Sequence, residues 1–399
     1  MSLEWIEGVP ADWHISKAQF VLDYQKRDVQ EDDEIVTAFR DGQVTLRRNR
    51  RTDGFTLAEK EIGYQHICEG DLVVHSMDGG FGAIGVSDSC GKASPVVHAY
   101  TSSLCDLRFV AYQLRAAVKA GWIAALAKGI RVRSTQFDRP ALASLNIAYP
   151  TVETQQRIAD YLDRETAEID AAVADLDKYV ELLEKRRTLR LIEETRIRSS
   201  ARMTTIGRHT QVSLGKTLQP EQKSPNEQLV NYVRAGNIQP NGVFDGEAKQ
   251  MWMTPDEQSA YSLLPGDVLV VEGGAGFGRS LTLNLGLQGW GFQNHVIRIR
   301  PQSGWIGKFI DYSIRAHKTD GLIDLLAVGA TIPGFSADKA RNLPIAFLTE
   351  REQSEVVQTL DKEMEEIDSL IADATRLRDL LLKRRSVLIT EVVTGRKQV

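Results

Sequence analysis

The chain has 399 residues, 42% of them hydrophobic and 26% charged, with a formal net charge of -5. That length, with a mean hydropathy of -0.26, fits a globular protein of two or three domains. The balance of 49 Lys and Arg against 54 Asp and Glu speaks against a protein that coats nucleic acid over its whole surface. Cys68, Cys90 and Cys105 form no C-x-x-C pair, which excludes a disulfide scaffold and fits a reducing compartment. The N-terminal segment has no basic or apolar signal region, and no apolar run approaches the roughly 18 residues of a membrane span. A soluble, cytoplasmic chain is expected.

In chain order, residues 1–150 are rich in Gly, Val, Ile and aromatic residues arranged in short apolar runs. Asp71-Leu-Val-Val-His75 reads as a buried strand entered through a Gly-Asp turn, and Phe109–Ala117 as a short helix. From about 152 to 197 Gly and Pro disappear, and Ile169, Val173, Leu176, Val180 and Leu183 recur at steps of three and four. The mixed pattern returns after 201, with Asp267-Val-Leu-Val-Val271, the alternating strand His295-Val-Ile-Arg-Ile-Arg300, and a helix near Phe309–Ala316. A second long helix follows over 350–393, with a seam of Ile367, Leu370, Ala374, Leu377, Leu381 and Leu388. Thr151-Val-Glu-Thr154 and Thr349-Glu-Arg-Glu352 offer capping-type starts to the two helices.

These elements repeat. Leu162-Asp163 through Lys185-Arg186-Arg187 returns as Leu360-Asp361 through Lys383-Arg384-Arg385, and Gln155 matches Gln353. Gly70-Asp71 matches Gly266-Asp267, Gly80-Phe-Gly82 matches Gly276-Phe-Gly278, and Tyr112 and Arg115 match Tyr312 and Arg315. Arg40-Asp-Gly42-Gln43 aligns with Arg234-Ala-Gly236-Asn237, and His98 with His295. A tandem duplication of a unit of about 200 residues explains the series. The expected architecture is mixed α/β: globular domains at 1–150 and 201–347, with a spacer helix in 151–200 and a second spacer helix and C-terminal tail in 348–399. The two helices are expected to pack on each other rather than singly on their own domains. Charge follows the same division, because the two globular segments cancel (-2 and +2) and the helical segments carry the whole net -5.

A fused, diverged duplication can read two different half-sites at a fixed separation, which makes duplex DNA the natural target. In the first domain the cation-rich stretch Arg47, Arg48, Arg50 and Arg51, on a polar loop, suits phosphate contact or simple solvation. Arg131, Arg133 and Gln136 fall where the second copy has the uncharged Gly329-Ala-Thr-Ile-Pro333, as separate specificities or neutral drift would produce. Arg40 and Gln43 join them as candidates. In the second domain Lys216, Arg234, Asn237, Arg279, Gln293 and Asn294 are the candidate contacts. Lys185, Arg186, Arg187, Lys383, Arg384 and Arg385 suit a partner surface, or simply the negative C-terminal ends of their helices.

No catalytic signature competes with this reading. There is no Asn/Asp-Pro-Pro-Tyr/Phe loop, His-Glu-x-x-His or Gly-x-Ser-x-Gly, and Ser213-Leu-Gly-Lys-Thr217 lacks the first P-loop glycine, having Thr210 there. Gly274-Ala-Gly-Phe-Gly-Arg279 lacks the last glycine of a dinucleotide loop and reads as a turn.

The sequence resembles the specificity (S) subunits of type I restriction-modification systems. The resemblance rests on Val9-Pro10 with Trp13, Arg234-Ala-Gly-Asn-Ile238 and Leu264-Pro-Gly-Asp-Val-Leu-Val270. Glu352-Gln353 with Leu360-Asp361 and Ile367-Asp368, and the terminal Leu388-Ile-Thr-Glu-Val-Val-Thr-Gly395, complete it. It implies a non-catalytic subunit with two target-recognition domains, each reading one half of a split asymmetric DNA site, held apart by two long helices paired as an antiparallel coiled coil. It also implies two methyltransferase subunits that carry S-adenosylmethionine and methylate adenine, and restriction/translocase subunits that use ATP and Mg. A coiled-coil adaptor without sequence-specific DNA binding is the alternative. Glu69 and Gln43 depart from Pro265 and Asn237 of the second copy, which leaves the local turn geometry open.

Overall fold

The computed structural model describes residues 6, 8–50, 62–123, 137–196, 202–327 and 334–399. They divide into two units, Met1–Asp177 with Arg376–Val399 and Lys178–Thr375. The main helices are α1 (Leu107–Lys119), α2 (Val152–Arg196), α3 (Gly307–Thr319) and α4 (Glu350–Val393). Each unit thus joins one globular domain to segments of both long helices. Among the described residues no helix is long and apolar enough to cross a membrane.

The same four-stranded antiparallel sheet is built twice. In the first unit its order is Asp23–Gln25, Val97–Thr101, Leu72–His75, Ile84–Val86. In the second it is Thr210–Leu214, Val296–Pro301, Val268–Val271, Ser280–Thr282. The central strands read as unbroken apolar runs because both faces are covered. Leu72 and Val74 share a core with Phe109, Val110 and Leu114 of α1, while Val73 faces a second core with Val36, Val44 and Ile67. Val268 and Val270 likewise face Phe309 and Ile310 of α3, and Leu269 and Val271 face Leu281 and Phe292. The turns into these strands are alike despite Glu69 and Pro265. Gly70 and Gly266 have φ of 87° and 84°, and Asp71 and Asp267 each accept from a backbone N–H three residues back at 2.8 Å.

The turn preceding the sheet corrects one sequence alignment. Phe39–Gln43 and Gln239–Val243 close with matching bonds: Gly42 N–H to Phe39 O and Gly242 N–H to Gln239 O, both 2.9 Å. An aspartate or asparagine side chain accepts from the residue two positions on in each copy. Arg40 therefore corresponds to Pro240 and not to Arg234, and Gln43 corresponds to Val243. The Arg-x-Gly spacing coincided by chance. His98 and His295 also fail to correspond. The Val74–His98 strand pair is equivalent to Val270–Ile297, so His295 lies one step before its strand.

Gly242 has φ 75°, and a Cβ there would fall 1.7 Å from Arg315 Nη2. Gly242→Ala is expected to destabilise the second unit by about 1–3 kcal/mol, read as a lower midpoint in urea.

The long helices run at residues 152–196 and 350–393, inside the segments 151–200 and 348–399 set apart for them in the sequence. At 1.5 Å per residue each extends about 65 Å. Thr349 and Glu352 close a full capping box, while the first helix has Thr154 in the matching position, within 3.3 Å of Thr151 Oγ1. Pairing is antiparallel within each unit. Asp170 pairs with Arg385 at 3.0 Å and Asp177 with Arg378 at 3.3 Å in the first, so one number climbs as its partner falls. In the second, Arg187 pairs with Asp368 and Arg190 with Glu363. The Arg187–Asp368 and Arg385–Asp170 bonds are copies of each other across the repeat.

Ile169, Leu183, Ile367, Ala374 and Leu388 are buried, as their spacing predicts, but Leu370 and Leu377 are exposed. A two-helix contact is narrow, and a 3.6-residue helix drifts off a strict three-four seam.

Matched glutamines anchor each helix to its domain. Gln155 accepts from Asp106 N–H and donates to Pro150 O, both at 2.9 Å. Gln353 accepts from Ile306 N–H at 2.9 Å and donates to Leu348 O at 3.0 Å and Gly304 O at 3.1 Å.

Candidate nucleic-acid interface

Each sheet has a cleft at the same end, where strand 72–75 or 268–271 finishes and strand 97–101 or 296–301 begins. In the first unit this cleft, of about 760 Å³, is lined by Arg40, Arg47, Arg50, Tyr64, His75, Asp78 and Ser94, among others. The expected polar loop opens with a 3-10 turn over Arg47–Asn49, directly after the strand Val44–Leu46 and capped by Arg50.

Arg40 is exposed, bonds Asp78 at 2.8 Å and lies 4.9 Å over the Phe81 ring. Arg50 bonds Asp41 at 2.7 Å and lies 4.3 Å over Phe39. Arg47 Nε donates to Thr37 Oγ1 at 3.3 Å. Arg48 pairs with Glu34, and Gln43 is exposed on the turn. Exposed ion pairs of this kind are each worth no more than about 1 kcal/mol, so a phosphate can displace the carboxylate. Arg51, Arg131, Arg133 and Gln136 lie outside the described residues. Description resumes at Phe137, whose N–H bonds Ser76 O at 2.8 Å, beside His75.

His75 was missed by sequence reasoning, since a lone histidine ending a strand carries no signal. Its Nδ1 accepts from Asp78 N–H at 3.0 Å, which leaves Nε2–H as the donor of the neutral ring. Burial holds its pKa below the usual histidine range, with Asp78 opposing and Arg40 adding to the effect. Burial does the same to His98, aided by Arg139 and opposed by Asp138. A histidine whose folded pKa is lowered contributes stability above its unfolded pKa, about 6.5, and that stability is lost as pH falls through the folded value. The thermal midpoint is therefore expected to fall as pH drops below about 6.5. The fall should be shallower in a His75→Asn/His98→Gln variant, as differential scanning calorimetry would register.

The cleft of the second unit, about 680 Å³, is lined by Arg234, Gly236, Glu272, Gln293, His295, Ser336 and Lys339, among others. Burial pushes the Glu272 carboxyl above the usual range, with His295 at 4.0 Å opposing it. Lys339 donates to Gly334 O at 3.1 Å; the short helix that carries it gave no functional signal in the sequence.

Two candidates here are structural. Asn237 is fully buried, accepting from Arg234 N–H at 2.9 Å and donating to Asp245 O and Glu247 O, so it has no free face for a base. Lys216 is buried and paired with Glu257, which ties the segment after strand Thr210–Leu214 to the short helix Pro255–Ala260. Arg234 reaches the cleft but pairs with Glu247. Gln293 lines the cleft, and Asn294 beside it is half-buried. Arg279 belongs to a different cavity of about 870 Å³, with Arg187, Lys308, Arg315 and Lys318.

Of the six helix cations, Arg187 and Arg385 are engaged in the interhelical pairs described above, because the antiparallel register sets each against an aspartate. Lys185 pairs with Glu181 at 2.6 Å, one turn back on its own helix. Arg186, Lys383 and Arg384 are exposed.

No protein-family model matches the sequence, and no curated protein matches it. Solved structures do match over nearly the whole length. A chain from work on complex assembly and conformational transition of the type I R-M system covers 96% of this chain and 98% of its own, with a TM-score of 0.65 and 12% identity. The HsdS subunit from Thermoanaerobacter tengcongensis covers 97% and 98%, with a TM-score of 0.56 and 13% identity. The chain has the HsdS fold. Identity this low is compatible with a shared HsdS fold because a buried position needs only an apolar side chain of suitable volume. In this HsdS-fold chain the two copies have themselves diverged at the clefts while keeping the glutamine anchors and the helix pairing.

Proposed function

We propose that this chain is the non-catalytic specificity subunit of a type I restriction-modification complex. One unit reads each half of a bipartite, asymmetric DNA site, and methyltransferase subunits, two in number, dock on the chain to methylate adenine. S-adenosylmethionine belongs on those partners, and ATP with Mg on a restriction/translocase subunit. The observation that carries the reading is the pair of clefts: equivalent in position on one repeated fold, yet lined by Arg40, Arg47, Arg50 and His75 in one and by Arg234, Gln293, His295 and Lys339 in the other. Identical clefts would suit a palindrome; different clefts suit two different half-sites.

The test is to reconstitute the chain with its methyltransferase subunits and map methylated adenines across random-sequence DNA. An asymmetric split motif is expected. Exchanging residues 1–150 for another recognition domain should change one half of that motif and leave the other intact. A contiguous or palindromic motif, or both halves changing together, overturns the reading; binding of partners with no sequence preference supports an adaptor.

A further inference from the structure

Strands Gln65–Ile67 and Gly91–Ala93 pair antiparallel, with Ile67 opposite Gly91. Continuing the register by one residue sets Cys68 opposite Cys90. The hydrogen bonds fix which kind of pair this is. His66 N–H bonds outward to Arg27 O at 3.0 Å, and Lys92 N–H outward to Glu34 O at 2.8 Å, so His66–Lys92 is a non-hydrogen-bonded pair. The kinds alternate along the ladder, which makes Ile67–Gly91 a hydrogen-bonded pair and the Cys68–Cys90 position non-hydrogen-bonded again. Cys68 N–H accordingly turns away, to Asp71 Oδ2 at 2.8 Å. Non-hydrogen-bonded pairs bring Cα atoms to about 4.5 Å, inside the disulfide range of about 4.4–6.8 Å. Cys90 Sγ accepts from Glu69 N–H at 3.3 Å, which places the sulfur across the ladder, next to Cys68.

We propose that Cys68 and Cys90 form an oxidative modification site, a cross-strand dithiol that closes to a disulfide when the chain meets a peroxide. Cys90 is exposed and is the entry thiol, while Cys68 is half-buried and resolves the intermediate. The Cys90 thiolate attacks one oxygen of hydrogen peroxide, giving a sulfenic acid and hydroxide, which takes up the thiol's proton as water. The Cys68 sulfur then attacks the Cys90 sulfur, the S–S bond forms and a second water leaves. Two thiols are oxidised and one peroxide is reduced to two waters. Burial holds the Cys68 thiol pKa above its ordinary value and Arg27 opposes the shift, consistent with the second, slower step falling to Cys68. Tyr64 and Ser94, at the other end of the same ladder, line the cleft, so the bond would fasten one of its walls.

The experiment treats the reduced full-length chain with hydrogen peroxide in small molar excess, then alkylates it after unfolding and maps the peptides. The expected product is lighter by two hydrogen atoms, has a 68–90 cross-linked peptide and an alkylated Cys105, and reverts with dithiothreitol. Its thermal midpoint should rise by about 5 °C or more, since the bond closes a loop of some twenty residues. Cys90→Ser, an exposed substitution, should show neither the protection of Cys68 nor the thermal shift. Sulfinic or sulfonic acid at Cys90 with Cys68 still alkylated, a disulfide between two chains, or no reaction at either thiol overturns the proposal.

Discussion

Replacing Arg40, Arg47 and Arg50 together by alanine is expected to lower affinity for a cognate duplex by about 100-fold at moderate salt, when the chain is reconstituted with methyltransferase subunits. The three guanidinium groups line one cleft, Arg40 and Arg50 each in a weak surface ion pair, and each phosphate contact contributes roughly 1 kcal/mol net. Counterion release makes the sharper signature. Three lost phosphate contacts flatten the slope of log K against log salt by about 2.7. The loss should be similar for specific and non-specific DNA, because phosphate contacts position the protein without reading bases. A titration series by fluorescence anisotropy at several salt concentrations measures both quantities. An unchanged slope would show that the cleft of the first unit does not meet the phosphate backbone. The Asn237→Ala variant serves as the contrast: its cost is to stability, through three lost internal bonds, with no change in salt slope for the fraction that folds.

Replacing Gln353 by leucine is expected to destabilise the second unit by about 3–5 kcal/mol, a fall in thermal midpoint on the order of 10 °C. The side chain is fully buried and serves three backbone groups: Ile306 N–H just before α3, and the carbonyls of Gly304 and Leu348. Leucine fills the space but leaves all three without a partner. Gln353→Glu separates acceptor from donor. A carboxylate still accepts from Ile306 N–H, but it faces two carbonyl oxygens and must take up a proton to donate to either. Its folded pKa is therefore raised, so this variant is relatively more stable at low pH and loses that stability as pH rises through the folded value. Gln155→Leu should repeat the effect in the first unit, because the same bonds recur there. Circular dichroism melts from pH 5 to pH 8 distinguish the cases. Equal stability of the leucine and wild-type chains would remove the anchor role.

The duplication, the strand–turn runs and the long helices were legible because each depends on local rules. Burial of both sheet faces makes Leu72–Val74 and Val268–Val271 continuous apolar runs after a Gly-Asp turn, and residues 152–196 lack the Gly and Pro that would break a helix. The glutamine match at 155 and 353 was visible as a repeat, but its bonding was not, since Asp106 and Ile306, whose N–H groups it accepts from, lie about fifty residues away. The misaligned Arg40–Arg234 pair shows the limit of short identities: a common Arg-x-Gly spacing outweighed a turn whose hydrogen bonds are invisible in sequence. The same limit put Asn237 and Lys216 among the DNA contacts. A polar residue type says what a side chain can bond, and only its neighbours say whether it already has.

By itself, the sequence determined that this chain is one unit of about 200 residues written twice, with helical segments that carry the net negative charge and globular domains that cancel to zero. Those properties are additive along the chain, so order and composition suffice. The tertiary structure decided which cations share a cleft, and it drew Arg187 and Arg385 into matching bonds with Asp368 and Asp170. It also brought the Cys90 sulfur against Glu69 N–H, next in sequence to Cys68. Each of those depends on strand register or helix direction, where a shift of one residue turns a side chain to the other face.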